Sequence, residues 1–211
     1  MNNIETIFNL KGRVAIVTGG LGILGTEYVK TLAQAGVKVA VFDLLEPKTT
    51  HKLKKLSQNL EIKFYKVNIT KQIEVEKAFE KVINDLGIVS ILINNAAIDF
   101  PPKKNVNETF ENYPLDKWQS ALDVNLNGMM ICCQVIGGMM AKKGGGSIIN
   151  ISSTYGLVSP DQRIYKDFTK PAAYCVSKSG VLNLTRYLAT YWAKKKVRVN
   201  TLSPGGVFVG Q

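Results

Sequence analysis

The sequence predicts a doubly wound α/β fold, a parallel β-sheet with helices on both faces, formed by residues 1–211 as a single domain. Three observations predict it. Apolar strand-like runs alternate with helix-like stretches six times along the chain. Runs such as VAIVT and IVSILIN are apolar on both faces, as strands between two helical layers must be. Glycine-rich or small polar clusters fall at the carboxyl ends of those strands, where such sheets bind ligands.

Each element follows from its pattern. Arg13 to Thr18 reads as the first strand and runs into a glycine-rich turn, after which Ile23 to Ala35 shows helical spacing that closes at Gly36. Val37 to Asp43 is the second strand, followed by a polar helix near Thr49 to Asn59. Glu61 to Val67 is the third strand, and Lys71 to Leu86 an amphipathic helix ending at Gly87. Ile88 to Ile93 is the fourth strand and leads into the loop NNAAIDFPPKKNVNETFENY. A long apolar helix occupies Leu115 to Lys143, the fifth strand Ser147 to Ser152, a second long helical region Lys170 to Lys196, and the sixth strand Val197 to Ser203.

Bulk properties narrow the function classes. A length of 211 residues, 45% of them hydrophobic, allows one domain with a substantial core. No apolar run approaches the roughly 20 residues of a membrane span, and the N-terminus MNNIETIFNLKGR lacks a signal-peptide core. Cys132, Cys133 and Cys175 are too few for a disulfide framework, and His51, the one histidine, sits in a lysine-rich segment that offers no metal site. The expected location is cytoplasmic, with no membrane partner. The net charge of +11 invites a nucleic-acid reading. Its distribution argues against one: Lys52, Lys54 and Lys55, then Lys142 and Lys143, then Lys194 to Lys196 are separate clusters without interleaved aromatics. The last two groups end helices, where cations favour the negative pole of the helix dipole.

The turn VTGGLGILG, Val17 to Gly25, places glycines between a first strand and its helix. Such a turn lets a pyrophosphate approach backbone N–H groups at the positive end of the helix. Asp43, ending the second strand, stands where a carboxylate accepts hydrogen bonds from the adenosine ribose. That carboxylate would repel a 2′-phosphate, and Leu44 and Leu45 offer no countercharge, so NAD is expected over NADP. The plainer alternatives are a tight strand-to-helix connection and an aspartate that caps a turn.

Taken together these pieces resemble the short-chain dehydrogenase/reductase family, whose Rossmann fold they imply along nearly the whole chain. The matching residues are Thr18-Gly19 with Gly22 and Gly25, Asn94-Asn95-Ala96, Asn125 in VNLNG, Ser153 in INISS, Tyr174 and Lys178 in AAYCVSK, VRVN at 197–200, and Pro204-Gly205. The resemblance implies a cofactor held by Gly19, Gly22, Ile23, Leu24, Gly25, Asp43, Asn68, Ile69, Asn95, Ala96 and Ala97. It implies further contacts from Tyr174, Lys178, Pro204, Gly205 and Val207, with Lys178 on the nicotinamide ribose. Departures are visible. The central glycine comes one residue early, giving T-G-x-x-G-x-x-G as in the branch acting on nucleotide sugars. NNAA replaces the usual NNAG, Asn68-Ile69 replaces an Asp-Val pair, and Phe208-Val209 stand where a threonine is common.

Y-x-x-x-K occurs three times, at Tyr113/Lys117, Tyr174/Lys178 and Tyr191/Lys195. Pro114 interrupts the first and the last runs into a lysine cluster; only Tyr174/Lys178 follows a strand-end ISS and opens a helix, where i and i+4 share a face. Hydride exchange at a carbinol carbon requires a proton to move on or off its oxygen. An unperturbed tyrosine titrates near ~10, and a neighbouring ammonium favours its phenolate. Ser153 would stabilise charge on the substrate oxygen, with Ser152 the competing choice. Asn125 would position a relay water beside Lys178, or else bond backbone within its helix.

Twenty residues separate Ser153 from Tyr174, a longer interval than the family's usual one, and the insert carries Arg163, Lys166 and Lys170. These cations predict an anionic substrate group, such as phosphate on a sugar or sugar nucleotide; the plain alternative is a surface loop. The insert and the early glycine also resemble, more loosely, dehydrogenases of the flagellin-modification and surface-sugar type. The expected activity is NAD-dependent interconversion of a secondary alcohol and a ketone. Rival readings are a non-catalytic NAD-binding subunit and a sugar-nucleotide epimerase or dehydratase. Relatives continue past the PG loop with a helix and a seventh strand, so a C-terminus at Gln211 implies an omitted tail or a short product. The two long apolar helices resemble the pair that forms a four-helix interface, implying a homodimer or homotetramer.

Overall fold

Alternate residues of the central strands enter two different cores. Val14 and Ile16 of the first strand are buried on one face of the sheet, Ala15 and Val17 on the other. The computed structural model describes residues 9–100, 108–165 and 169–207. Strands β1 (Val14–Thr18), β2 (Lys38–Asp43), β3 (Ile62–Lys66), β4 (Val89–Asn94), β5 (Gly146–Ile151) and β6 (Val197–Leu202) form one parallel sheet in the order β3-β2-β1-β4-β5-β6. The connections are α1 (Ile23–Gln34), α2 (Lys52–Leu56), α3 (Gln72–Leu86), α4 (Leu115–Lys142), the short α5 (Thr154–Leu157) and α6 (Ala172–Tyr191). This is the doubly wound Rossmann arrangement expected from the sequence. Its strand order reverses between β1 and β4, opening a crevice at their carboxyl ends.

Helices α3, α4 and α6 cover one face through Phe79, Met129, Ile136, Met140, Val181 and Trp192. Helices α1 and α2 cover the other through Val29, Ala33 and Leu53. The interior strand β1 is buried at every position, whereas the edge strand β6 alternates, with Val197 and Val199 buried and Arg198 and Asn200 exposed. Two-faced burial therefore describes the middle of the sheet and lapses at its edge, where no helix among the described residues covers one face.

Two helices are several residues shorter than the sequence reading, each for a local reason. The polar helix α2 is cut to Lys52–Leu56, opened by His51, whose Nδ1 accepts the Leu53 N–H at 3.2 Å. Helix α6 starts at Ala172, because Pro171 holds an extended conformation as its N-cap. It stops at Tyr191, and Lys196 turns the chain into β6 with a left-handed φ of 58°. Helix α4 is long and apolar enough to cross a membrane by length and composition, contrary to the sequence expectation. Its buried face packs on the sheet instead, with Cys132 and Cys133 as reduced thiols inside the core. Burial pushes both thiols up, Cys133 to about 12. The helix also contains two π-helical stretches, Asp123–Gly128 and Cys133–Gly137, which nothing in the sequence reading anticipated.

Candidate active site

The nucleotide end of the crevice is shaped by backbone that tolerates no side chain. Gly19 adopts a φ of 61°, and a Cβ on it would lie 2.7 Å from the Cα of Ala96. A Cβ on Gly25 would lie 2.2 Å from the carbonyl oxygen of Gly19. Thr18 Oγ1 accepts the N–H groups of Asn95 and Ala96 at 3.0 and 3.1 Å, tying the end of β4 to the turn. Both amide hydrogens of Asn95 return to that turn, donating to Thr18 O at 3.2 Å and Gly19 O at 2.9 Å.

Asp43 ends β2, and its carboxylate accepts the N–H groups of Leu21 at 3.0 Å and Leu45 at 3.3 Å. A cleft of about 490 Å³ lies between these parts. Of the residues the sequence assigned to cofactor, Gly19, Gly22, Ile23, Leu24, Asp43, Asn68, Ile69, Asn95, Ala96 and Ala97 line it. Gly25 is buried in the first turn of α1. That turn carries no acidic residue to neutralise the positive helix end. A close backbone cradle, an unneutralised helix terminus and a strand-end carboxylate together fit the pyrophosphate and ribose of a dinucleotide.

One contributor escaped the sequence reading. Besides capping α2, His51 meets the Leu21 carbonyl through Nε2 at 3.3 Å, so the second helix docks on the glycine turn. His51 was weighed only as a metal ligand; an N-cap histidine three elements away from its contact gives no local signal.

The reacting end lies where β5 meets α6. Ser153 ends its strand as the N-cap of α5, with Oγ accepting the Tyr155 N–H at 3.2 Å. Its hydroxyl also lies beside the phenol of Tyr174 and favours the ionised form of that phenol. Ser152 points elsewhere: its hydroxyl donates to the Lys178 carbonyl at 2.7 Å, inside the protein. The structure thus separates the two candidate serines in favour of Ser153. Tyr174 lies in the first turn of α6, and Lys178 Nζ is 5.7 Å from its ring centroid, donating to the Ile151 carbonyl at 2.8 Å. The other two Y-x-x-x-K pairs are elsewhere. Lys117 pairs with Glu108, and Tyr191 is exposed beside Tyr187.

Asn125 occupies the first π-helical stretch of α4, fully buried. Its Oδ1 accepts the Ile98 N–H at 2.8 Å, and its two amide hydrogens go to the Ile98 carbonyl at 2.9 Å and Ser177 Oγ at 3.0 Å. Ser177 Oγ in turn donates to the Tyr174 carbonyl at 2.7 Å. The side chain therefore ties the cleft wall to the catalytic helix and has no amide hydrogen left for a water. Pro204 accepts the Thr154 N–H at 3.0 Å, which brings Pro204 and Gly205 beside Ser153. Pro204, Gly205, Val207, Tyr174 and Lys178 do not line the nucleotide cleft itself.

Comparison with known proteins agrees with this geometry. A family model described as short chain dehydrogenase matches residues 13–210. The chain belongs to the short-chain dehydrogenase family. It is 30% identical over 204 residues to a D-threitol dehydrogenase from Mycolicibacterium smegmatis, covering 96% of this chain and 73% of that enzyme. A short-chain dehydrogenase from Leptospira borgpetersenii with bound NAD+ superposes with a TM-score of 0.83 at 30% identity, over 100% of this chain and 77% of that one. A gluconate 5-dehydrogenase from Burkholderia cenocepacia, solved with NADP and tartrate, superposes with a TM-score of 0.82 at 26% identity, over 96% and 74%. The protein is thus an oxidoreductase acting on CH–OH groups, with a crevice for a nicotinamide dinucleotide.

The electrostatics of this dehydrogenase site differ from the expectation that Lys178 lowers the Tyr174 phenol. Burial comes first and raises the Tyr174 pKa above the usual tyrosine value; the Ser153 hydroxyl pulls it down, Asp99 pushes it up, and the charge of Lys170 opposes Asp99 by less. Burial likewise lowers Lys178 to about 8, partly offset by Asp99. The insert accounts for the cation that does reach the phenol. Lys170 is paired with Asp99, from the loop after β4, and is drawn over the Tyr174 ring. Tyr155 and Tyr165 share a hydrogen bond at 2.5 Å that pins the insert to its own beginning. Arg163 is largely exposed and bound by the Asp161 carboxylate at 2.8, 2.9 and 3.2 Å. Lys166 lies outside the described residues.

Proposed function

We propose that the chain interconverts a secondary alcohol and a ketone on a small neutral polyol or sugar, with NAD as the preferred cofactor. The observation that carries this reading is the Tyr174 phenol, with the Ser153 hydroxyl and the Lys178 ammonium both beside it at the mouth of the crevice. The nicotinamide supplies the acceptor or donor of hydride. During alcohol oxidation Tyr174 accepts the hydroxyl proton, and Ser153 hydrogen-bonds the oxygen on which charge develops. Lys178 holds the nicotinamide ribose and supplies positive charge beside the phenol. Asn125 fixes Ile98 and Ser177, and any relay water it holds is held through oxygen.

The relatives supply the substrate class, because the M. smegmatis enzyme acts on D-threitol, a polyol. A phosphate-bearing substrate was expected from the insert's cations, but Arg163 and Lys170 already carry carboxylate partners. NAD is preferred because Asp43 is aimed at the turn and the ribose position, with exposed Leu44 and Leu45 beside it rather than cations. A screen of tetritols, pentitols, hexitols and their phosphates with both cofactors tests the reading. Turnover of an unphosphorylated polyol with NAD supports it; exclusive turnover of phosphate esters, or tighter binding of NADPH than NADH, overturns it. Asp43→Ser should narrow the preference for NADH over NADPH by about tenfold, the equivalent of ~1.4 kcal/mol.

A further inference from the structure

The strap that enters α6 brings a second ammonium onto the proton-transferring phenol. Lys170 Nζ lies 4.6 Å from the centroid of the Tyr174 ring and 5.9 Å from that of Tyr155. Lys178 Nζ, the cation expected to act there, is 5.7 Å from the Tyr174 ring. Lysine normally keeps its ammonium in water. Here the Lys170 side chain is only 14% exposed, its ammonium paired with Asp99 across the mouth of the crevice. Its main chain is fixed as well: Gln162 Oε1 accepts the Lys170 N–H at 2.9 Å, and Gln162 Nε2 donates to the Lys170 carbonyl at 3.2 Å. The position is therefore set from three sides.

A cation over the face of a tyrosine ring stabilises its electron density, and more so once the phenol ionises and spreads charge into the ring. The other charged and titratable groups around Tyr174 are Lys178 and Cys175 on its own helix, Tyr155 and Tyr165 on the insert, and Asp99 after β4. Among the described residues only Lys178 of these is cationic, and its ammonium is turned to the Ile151 carbonyl. We propose that Lys170 is a positioning residue for the reaction, held by Asp99 so that its ammonium favours the phenolate of Tyr174. The proposal rests on the reading of Tyr174 as the proton-transfer group. It gives the last residues of the long insert a task within the reaction itself: to place a charge over that ring.

Two measurements test it on the full chain. In the first, ionisation of Tyr174 is followed without substrate by ultraviolet difference titration, with Tyr174→Phe identifying its share of the signal. In the second, kcat/KM for alcohol oxidation is measured against pH for the wild type, Lys170→Gln and Lys170→Arg. Lys170→Gln should move the Tyr174 midpoint and the acidic limb upward by roughly half a unit to one unit. That shift corresponds to about three- to tenfold less activity on the acid side, with an unchanged alkaline plateau and unchanged NADH affinity. Lys170→Arg should restore the wild-type midpoint. Coincident midpoints for wild type and Lys170→Gln would overturn the proposal, as would an equal loss at every pH that Lys170→Arg fails to rescue. If no alcohol is oxidised at all, the polyol reading fails while the optical titration still decides the role of Lys170.

Discussion

At the nucleotide end of the crevice, Gly19, Gly22 and Gly25 expose main chain, and the side chains of Thr18, Asp43 and Asn95 bond back onto that same main chain. At the reacting end, Ser153 comes from the end of β5 and Lys170, Tyr174 and Lys178 from the entry and first turns of α6, and two of them are ammonium groups held out of water. The first end is specified by what a Cβ would strike, a steep repulsion that depends little on solvent. The second depends on desolvated charge, which varies with pH and with each neighbour. A single chain thus binds with hard geometry and reacts with soft electrostatics. Substitutions at the two ends should fail in different ways.

The largest effect should come at the reacting end. Tyr174→Phe should lower kcat by about 10²–10⁴-fold while leaving NADH affinity, read by fluorescence titration, unchanged; equal losses in both would dissolve the distinction between the ends. Ser153→Ala should cost about 10²–10³ in kcat, with about 1 kcal/mol of stability lost with the cap of α5. Ser152→Ala should do the opposite, leaving kcat near wild type and destabilising the fold by ~0.5–1.5 kcal/mol in urea unfolding, because it removes a buried hydrogen bond to the Lys178 carbonyl.

Lys178 sharpens the contrast through pH. Its folded-state pKa of about 8 lies below the usual 10.5, so above about 8 the unfolded chain holds a proton that the folded chain has released. Its contribution to stability therefore rises between about pH 8 and pH 10.5. The buried thiols Cys132 and Cys133 act with the opposite sign above about pH 9, so the test is the difference: stability of the wild type minus that of Lys178→Met in urea unfolding should rise across that window, and a flat difference would contradict the assignment. At the nucleotide end, Gly25→Ala should destabilise by ~3 kcal/mol through overpacking against the Gly19 carbonyl and weaken NADH binding at every pH alike. A pH-dependent loss there would contradict the steric account.

The same contrast explains what could be read from residues alone. The sheet, its connections and the nucleotide cleft follow from patterns a few residues long: strand-helix alternation, the glycines after β1, Asp43 at the end of β2. Tyr174 stood out from its two rivals because of Pro114 and the lysine cluster near Tyr191, both local features. What escaped was long-range. Lys170 was assigned to substrate because its partner, Asp99, is seventy-one positions away. Asn125 was expected to serve a water, but its hydrogen bonds go to Ile98 and Ser177, on segments that only the folded chain brings together. The direction of the Tyr174 shift depends on burial, which no spacing rule reports.

The widened turns of α4 have a consequence for how its buried stripe keeps phase. Its inward positions recur as Ala121, Asn125, Met129, Cys133 and Gly137, a four-residue repeat. An ordinary α-helix advances about 100° per residue, so such a repeat drifts by about 40° each turn and would wind off the sheet within a few turns. Adding slack at 123–128 and again at 133–137 cancels that drift, so the polar clasp at Asn125 and the sulfur-rich packing near Met140 stay on one side. Removing one residue from either stretch would tighten the coil and swing one end of the rod away from the face it now serves.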